Sequence, residues 1–200
     1  MNILLDILGS IITGGLVLLI HIGLLSKMST VSSDLLISNI NAINTTEAVK
    51  IIETDFYKIG FRDTTGNIFE LAEKNAVKFK APVKQDSLPK SVHYFLGLTT
   101  QMLGTKNPND KPLLRQVAGE NAIMIGIVND FRLTYLDSSG IELSYVSLSS
   151  SLQRNKIRSV GIYVKVESDA TVITNETNNL GTPVYPFVEW RKTIVPRNLK

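Results

Sequence analysis

Apolar residues are unevenly spread along this chain of 200 residues. Residues 7–25 form a nearly unbroken apolar block, with twelve Leu, Ile or Val positions and His21 as the one ionisable side chain. A helix rises about 1.5 Å per residue, so about 20 apolar residues cross a bilayer core of about 30 Å. Each Leu, Ile or Val contributes roughly −0.3 to −0.6 kcal/mol to insertion, enough to outweigh Ser10, Thr13 and His21. A cleaved signal peptide fits poorly: no basic stretch leads into the block, the run is long, and Leu24-Leu25-Ser26 is not a small-residue cleavage site. A buried core helix would need only one apolar face. The block therefore predicts a membrane anchor over residues 1–26. Lys27 follows it and no Lys or Arg precedes it, so charge alone weakly opposes a cytoplasmic N-terminus.

Beyond the anchor the spacing changes. Leu36, Ile40 and Ile43, then Val49, Ile52, Phe56 and Ile59, recur in steps of three and four. That periodicity predicts an amphipathic helix over residues 27–60. Asn44-Thr45-Thr46-Glu47 offers a cap and an acidic first turn, so a break or bend is expected there, and Gly60 is the expected stop. From Phe61 onward the pattern is that of strands. Residues 68–71, 76–79 and 93–96 are short apolar runs, residues 106–112 read as an exposed loop, and residues 115–123 are ambiguous. Residues 125–129 are a strand or lead into the next one. Residues 130–136 alternate, Asp137-Ser138-Ser139-Gly140 turns, and residues 141–145 return, which predicts a hairpin. Residues 147–154 read as loop. Val160, Ile162, Val164 and Val166 form the inward face of a further strand, residues 169–182 a polar loop, and residues 185–195 the last strand. The fold class is α+β: an N-terminal transmembrane and amphipathic helix packed on an antiparallel β-sheet, with residues 61–200 as a β-rich domain.

Charge and candidate chemistry change this picture little. The net charge is +3 and the basic residues are scattered, so no nucleic-acid partner is expected. Cysteine is absent, which removes disulfides, thiolate metal sites and cysteine nucleophiles. Asp55, Asp130, Asp137 and Glu142 read as helix-end, strand-start or turn residues. The segment 137–142 lacks the length and alternating acidic ligands of a calcium loop. His93 lies in an apolar run and reads as a core histidine. No catalytic centre, metal site or cofactor is expected. Within the anchor, Asp6 has two readings: an interfacial carboxylate in the first helical turn, or a charge that pairs when helices bundle. Gly9, Gly14, Gly15 and Gly23 are small positions where helices could approach closely.

Three segments resemble the type IV pilin-like proteins, chiefly the J-type minor pseudopilins of type II secretion and the W-type minor pilins. One is Thr46-Glu47-Ala48-Val49-Lys50-Ile51-Ile52-Glu53-Thr54-Asp55-Phe56-Tyr57-Lys58-Ile59-Gly60-Phe61, similar to that family's helix end. Another is the segment 128–145 with its Asp-Ser-Ser-Gly turn. The third is Ile157-Arg158-Ser159-Val160-Gly161-Ile162-Tyr163-Val164, leading to Val195-Pro196-Arg197-Asn198-Leu199. The resemblance implies a helix that packs in the core of a filament, an N-terminus on the cytoplasmic side of a bacterial inner membrane, and a domain in the periplasm or an extracellular filament. The implied partners are other pilin-like subunits and an assembly-platform membrane protein. Met1-Asn2-Ile3-Leu4-Leu5-Asp6 departs from the basic leader and the Phe-Thr-Leu-Ile-Glu start usual in the family, which bears on N-terminal processing. Asp6 lies near the family's acidic position, so the resemblance carries to it the pairing with a neighbouring subunit's N-terminal amine. The alternative expectation is a membrane-tethered binding or adaptor module that does not polymerise.

Overall fold

The computed structural model describes residues 3–64, 66–83, 88–102, 104–168 and 185–199. Its first element, α1, is one helix of 55 residues, Ile3–Tyr57. No proline interrupts this stretch. Its backbone stays helical through residues 44–46, so the expected break is not there. Local propensity at Asn44-Thr45-Thr46 is a matter of tenths of a kcal/mol per residue, too little to end a helix with good formers on both sides. By contact density the chain divides into two units, residues 1–39 and 40–200.

The first unit is helix alone. The segment Asp6–Ser33 is long and apolar enough to cross a membrane. Several of its hydroxyls are satisfied locally: Ser10 Oγ donates to the Asp6 carbonyl (2.8 Å), Thr13 Oγ1 to Gly9 (2.9 Å) and Thr30 Oγ1 to Ser26 (3.0 Å). Such back-bonding lets polar side chains sit in hydrocarbon without orphaned donors.

The second unit holds the end of α1 and all the strands, so the α+β class is what the fold displays. Its strands are β1 (Phe69–Ala72), β2 (Ala76–Ala81), β3 (Lys90–Leu96), β4 (Lys111–Val117), β5 (Ile123–Val128), β6 (Asp130–Leu136), β7 (Ser159–Glu167) and β8 (Phe187–Ile194). They make two antiparallel sheets, a five-stranded one in the order β1-β2-β3-β4-β5 and a three-stranded one in the order β6-β7-β8. On α1, Ala48, Val49, Ile52, Asp55 and Phe56 are buried, as is Ile59 just beyond it, while Ile51 and Tyr57 are exposed. The stripe from Val49 to Ile59 thus faces the core, as its periodicity predicts. Phe56 lies edge-on to Phe79 (5.1 Å between ring centroids) and to Tyr94 (5.5 Å), which ties α1 to β2 and β3. Gly126 on β5 admits the close approach of Ala48: a Cβ added there would meet the Ala48 Cβ at 3.2 Å.

Several loops differ from expectation. β4 runs through Pro112, which had read as a loop marker. Pro112 is the second residue of the strand and its carbonyl accepts from Gly97 N at 2.8 Å, so the missing N–H costs little. Asn107 and Asp110, expected in an exposed loop, are both buried, and Asn107 Nδ2 donates to the Ser168 carbonyl (3.3 Å). The predicted hairpin closes at its turn, but its return arm is no strand. Asp137 N donates to the Ile141 carbonyl (3.0 Å) and Leu143 N to the Tyr135 carbonyl (2.8 Å), with one bridge, Leu136↔Glu142, while β6 pairs along its whole length with β7. Residues 147–154 contain a 3-10 turn, Ser147–Ser149, and the short helix α2, Ser151–Arg154, with Leu148 buried in the core. On β7 the inward set Val160, Ile162, Val164 and Val166 is buried, as the alternation predicts. The polar segment 169–182 lies outside the described residues.

Candidate functional site

At about 100° per residue, positions 6, 10, 13, 17, 21 and 24 of a helix fall on one stripe. In α1 these are Asp6, Ser10, Thr13, Val17, His21 and Leu24. Every polar side chain of residues 6–25 therefore shares one face, while Leu8, Ile12, Leu19 and Ile22 cover the opposite one. His21 Nδ1 lies 3.1 Å from the Val17 carbonyl, so the proton sits on Nδ1 and Nε2 is turned outward. Gly9 and Gly14 flank the polar stripe. Gly15 lies on the far side from Asp6, so the three candidate glycines do not form a single contact line. A Cβ at Gly9, Gly14, Gly15 or Gly23 would meet nothing within 4 Å. None of these glycines is needed by the helix that carries it.

The end of α1 carries a second arrangement. Asp55 lies on the buried face of α1, directly beside Phe56. Across the sheet, Val77 of β2, Tyr94 of β3 and Arg115 of β4 stand in register. That row brings Tyr94 and Arg115 together beneath the helix. Tyr94 Oη donates to Asp55 Oδ2 at 2.6 Å, and Arg115 Nε donates to the same oxygen at 2.6 Å. The paired side chains are nearly buried, 13% exposed for Arg115 and 9% for Asp55. Burial, together with the Asp55 charge, pushes the Tyr94 hydroxyl well above its ordinary range, so it stays a donor. Burial pulls Arg115 down, but the Asp55 hydrogen bond and charge more than offset it, and the guanidinium is held charged. This cluster is a clamp: it fixes the rotation and height of α1 on the five-stranded sheet. Sequence reading took Asp55 for a helix-end residue. The available signal was a carboxylate next to the stripe 49, 52, 56, 59, which requires a buried cation; that cation, Arg115, lay in a segment of ambiguous pattern.

The remaining candidates have structural surroundings. Asp137 Oδ1 accepts from Ser139 N (2.8 Å) and Ile141 N (3.0 Å), a turn held by its own carboxylate. Asp130 pairs with Arg132 at 2.8 Å. His93 stacks on Phe95 (4.5 Å between ring centroids), and its Nε2 is buried with no hydrogen-bond partner among the described residues. Burial and then Lys78 lower its pKa, so the ring is neutral at pH 7. Among the described residues no group of three or more His, Asp or Glu side chains could hold a metal. Comparison with protein-family models, with curated proteins and with solved structures found no match.

Proposed function

We propose that this chain is a structural subunit of the type IV pilin-like class, a minor pilin or pseudopilin that joins a filament through its N-terminal helix. The observation that carries the reading is α1. A single uninterrupted helix begins as an apolar segment long enough to span a membrane and ends as the buried helix of an antiparallel β domain. A tether needs no such continuity, since a flexible linker serves. Because the polar side chains of the span share one face, the stripe from Asp6 to His21 is the surface on which a neighbouring helix packs, with Gly9 and Gly14 along its flanks. In this reading the chain sits in a bacterial inner membrane with a single pass, its partners are pilin-like subunits and an assembly-platform protein, and it catalyses nothing.

The test is a pull-down from membranes of the full-length protein, tagged at its C-terminus and read by mass spectrometry. Recovery of proteins with pilin-like helices, or of an assembly ATPase with its membrane platform, is the expected result. A monomer in mild detergent that brings down none of them sinks the assembly reading. It leaves the second one, a membrane-tethered binding module. The local satisfaction of Ser10, Thr13 and His21 by carbonyls one turn back favours that module, because these three side chains then need no neighbouring helix as a partner.

A further inference from the structure

The segment that follows β8 is Val195-Pro196-Arg197-Asn198-Leu199, and its residues have divided roles. Pro196 is buried, Leu199 packs against the core, and Asn198 Nδ2 donates to the Ile59 carbonyl at 3.4 Å. Arg197 stands exposed among these attachments. Its backbone is pinned on both sides while its charge enters no ion pair among the described residues. The fold spends several contacts to hold an arginine that it does not itself use.

Arg197 lines a cleft of about 490 Å³ together with Arg154 and Arg158. Those two are oriented by main-chain carbonyls. Arg154 donates through Nε to Phe69 (2.9 Å) and through Nη1 to Leu148 (2.9 Å) and Ser149 (2.7 Å). Arg158 donates through Nη1 to Asn155 (2.7 Å) and Ile157 (2.9 Å). Carbonyl partners fix the direction of a guanidinium and leave its charge standing. A guanidinium has five N–H donors, and these bonds use only some of them. The one carboxylate in the lining is Asp63, whose Oδ1 is 3.9 Å from Lys80 Nζ. Three guanidiniums therefore meet one carboxylate that already has its own cation. The other basic groove contrasts with it: along the three-stranded sheet, Arg132, Arg191 and Lys192 each have an acidic partner at 2.8 Å.

We propose that the cleft between the end of α1, α2 and the C-terminal segment is a binding site for a phosphate monoester. Guanidiniums that have N–H donors to spare and no carboxylate partner among the described residues match a tetrahedral dianion, which takes up two of the charges where a carboxylate takes up one. The cleft is larger than a phosphate group, and the partly exposed Ile68 forms part of its wall, so the ligand carries an organic group beside the phosphate. The site does not depend on filament assembly, and either reading can fail alone.

The experiment is isothermal titration of the full chain in a nonionic detergent with inorganic phosphate, then glycerol 2-phosphate, at ionic strength held constant with chloride. The expected result is saturable binding, tighter for the ester. Arg197→Gln, which removes a charge but no bond of the fold, is expected to weaken it at least tenfold. Arg191→Gln, on the other sheet, is expected to leave it unchanged. Addition of phosphatidic acid to the micelles distinguishes a lipid source, which competes with inorganic phosphate, from a soluble one, which is unaffected; both keep the monoester. Absence of saturable binding to the wild-type chain, or wild-type affinity in Arg197→Gln, overturns the proposal.

Discussion

Asp55 accepts from Tyr94 and Arg115 through one oxygen, and its two donors are not equivalent. Removing Arg115 leaves a buried carboxylate without a cation, whereas removing the Tyr94 hydroxyl leaves the ion pair intact. Arg115→Met is therefore expected to destabilise the second unit by about 3–5 kcal/mol. Tyr94→Phe is expected to cost only about 1–2 kcal/mol. Denaturant unfolding followed by circular dichroism separates the two, and equal losses would show that the pair is not what holds the helix down. Asp6 belongs to the same scale. Asp6→Ala is expected to lower incorporation into an assembly, scored by co-purification, while the β domain keeps its unfolding midpoint. Wild-type incorporation would remove the assembly role assigned to that carboxylate.

At the scale of elements, the exit from α1 decides how helix and sheet connect. Lys58 N and Ile59 N bond back three residues, to Asp55 (3.1 Å) and Phe56 (3.2 Å), which tightens the last turn. Gly60 then takes φ +72°, and its N–H leaves the helix for the Lys80 carbonyl at 2.9 Å. A Cβ at Gly60 would meet Ile68 Cδ1 at 2.9 Å. Gly60→Ala carries both a left-handed backbone and that contact, so a loss of about 1–2 kcal/mol or more is expected. Gly66→Ala separates the causes, having the same φ of +72° and nothing within 4 Å. If the two variants lose equal stability, the contact with Ile68 contributes nothing.

At the scale of the whole molecule, the pH dependence of stability follows from groups that differ between folded and unfolded chains. Burial and Lys78 hold His93 below its ordinary value near 6.5. The unfolded state then binds the proton more readily, so stability is full above about pH 6.5 and falls as pH drops through the range below it. Glu70 and Glu167 act lower. Burial raises each, but hydrogen bonds outweigh it: Lys78 and Ser91 to Glu70, Lys165 and Asn107 to Glu167. Their contribution is present above about pH 4.5 and is lost as pH falls through their lowered values. The expected profile of unfolding midpoint against pH has two steps. His93→Phe removes the upper one, and a profile unchanged by that substitution would show that His93 is not its source.

What the sequence determined by itself is what depends on neighbours along the chain. Twelve aliphatic residues within residues 7–25 make a membrane-length apolar helix wherever they occur, and steps of three and four from Val49 to Ile59 select one buried face. Strict alternation settled the inward set of β7, because side chains of a strand switch faces at every residue. Tertiary structure decided what depends on partners far away in sequence. Pro112 lies inside a strand because β3 and β5 flank it, and the long partner of β6 is the distant β7 and not the neighbouring residues 141–145. Asp55 became a clamp, and Arg154, Arg158 and Arg197 came to share a cleft, only when residues up to 60 apart in the first case and 43 in the second were brought together. Local periodicity carries no record of such meetings, since a charged side chain has the same pattern whether its counter-ion is water, a buried aspartate or a ligand.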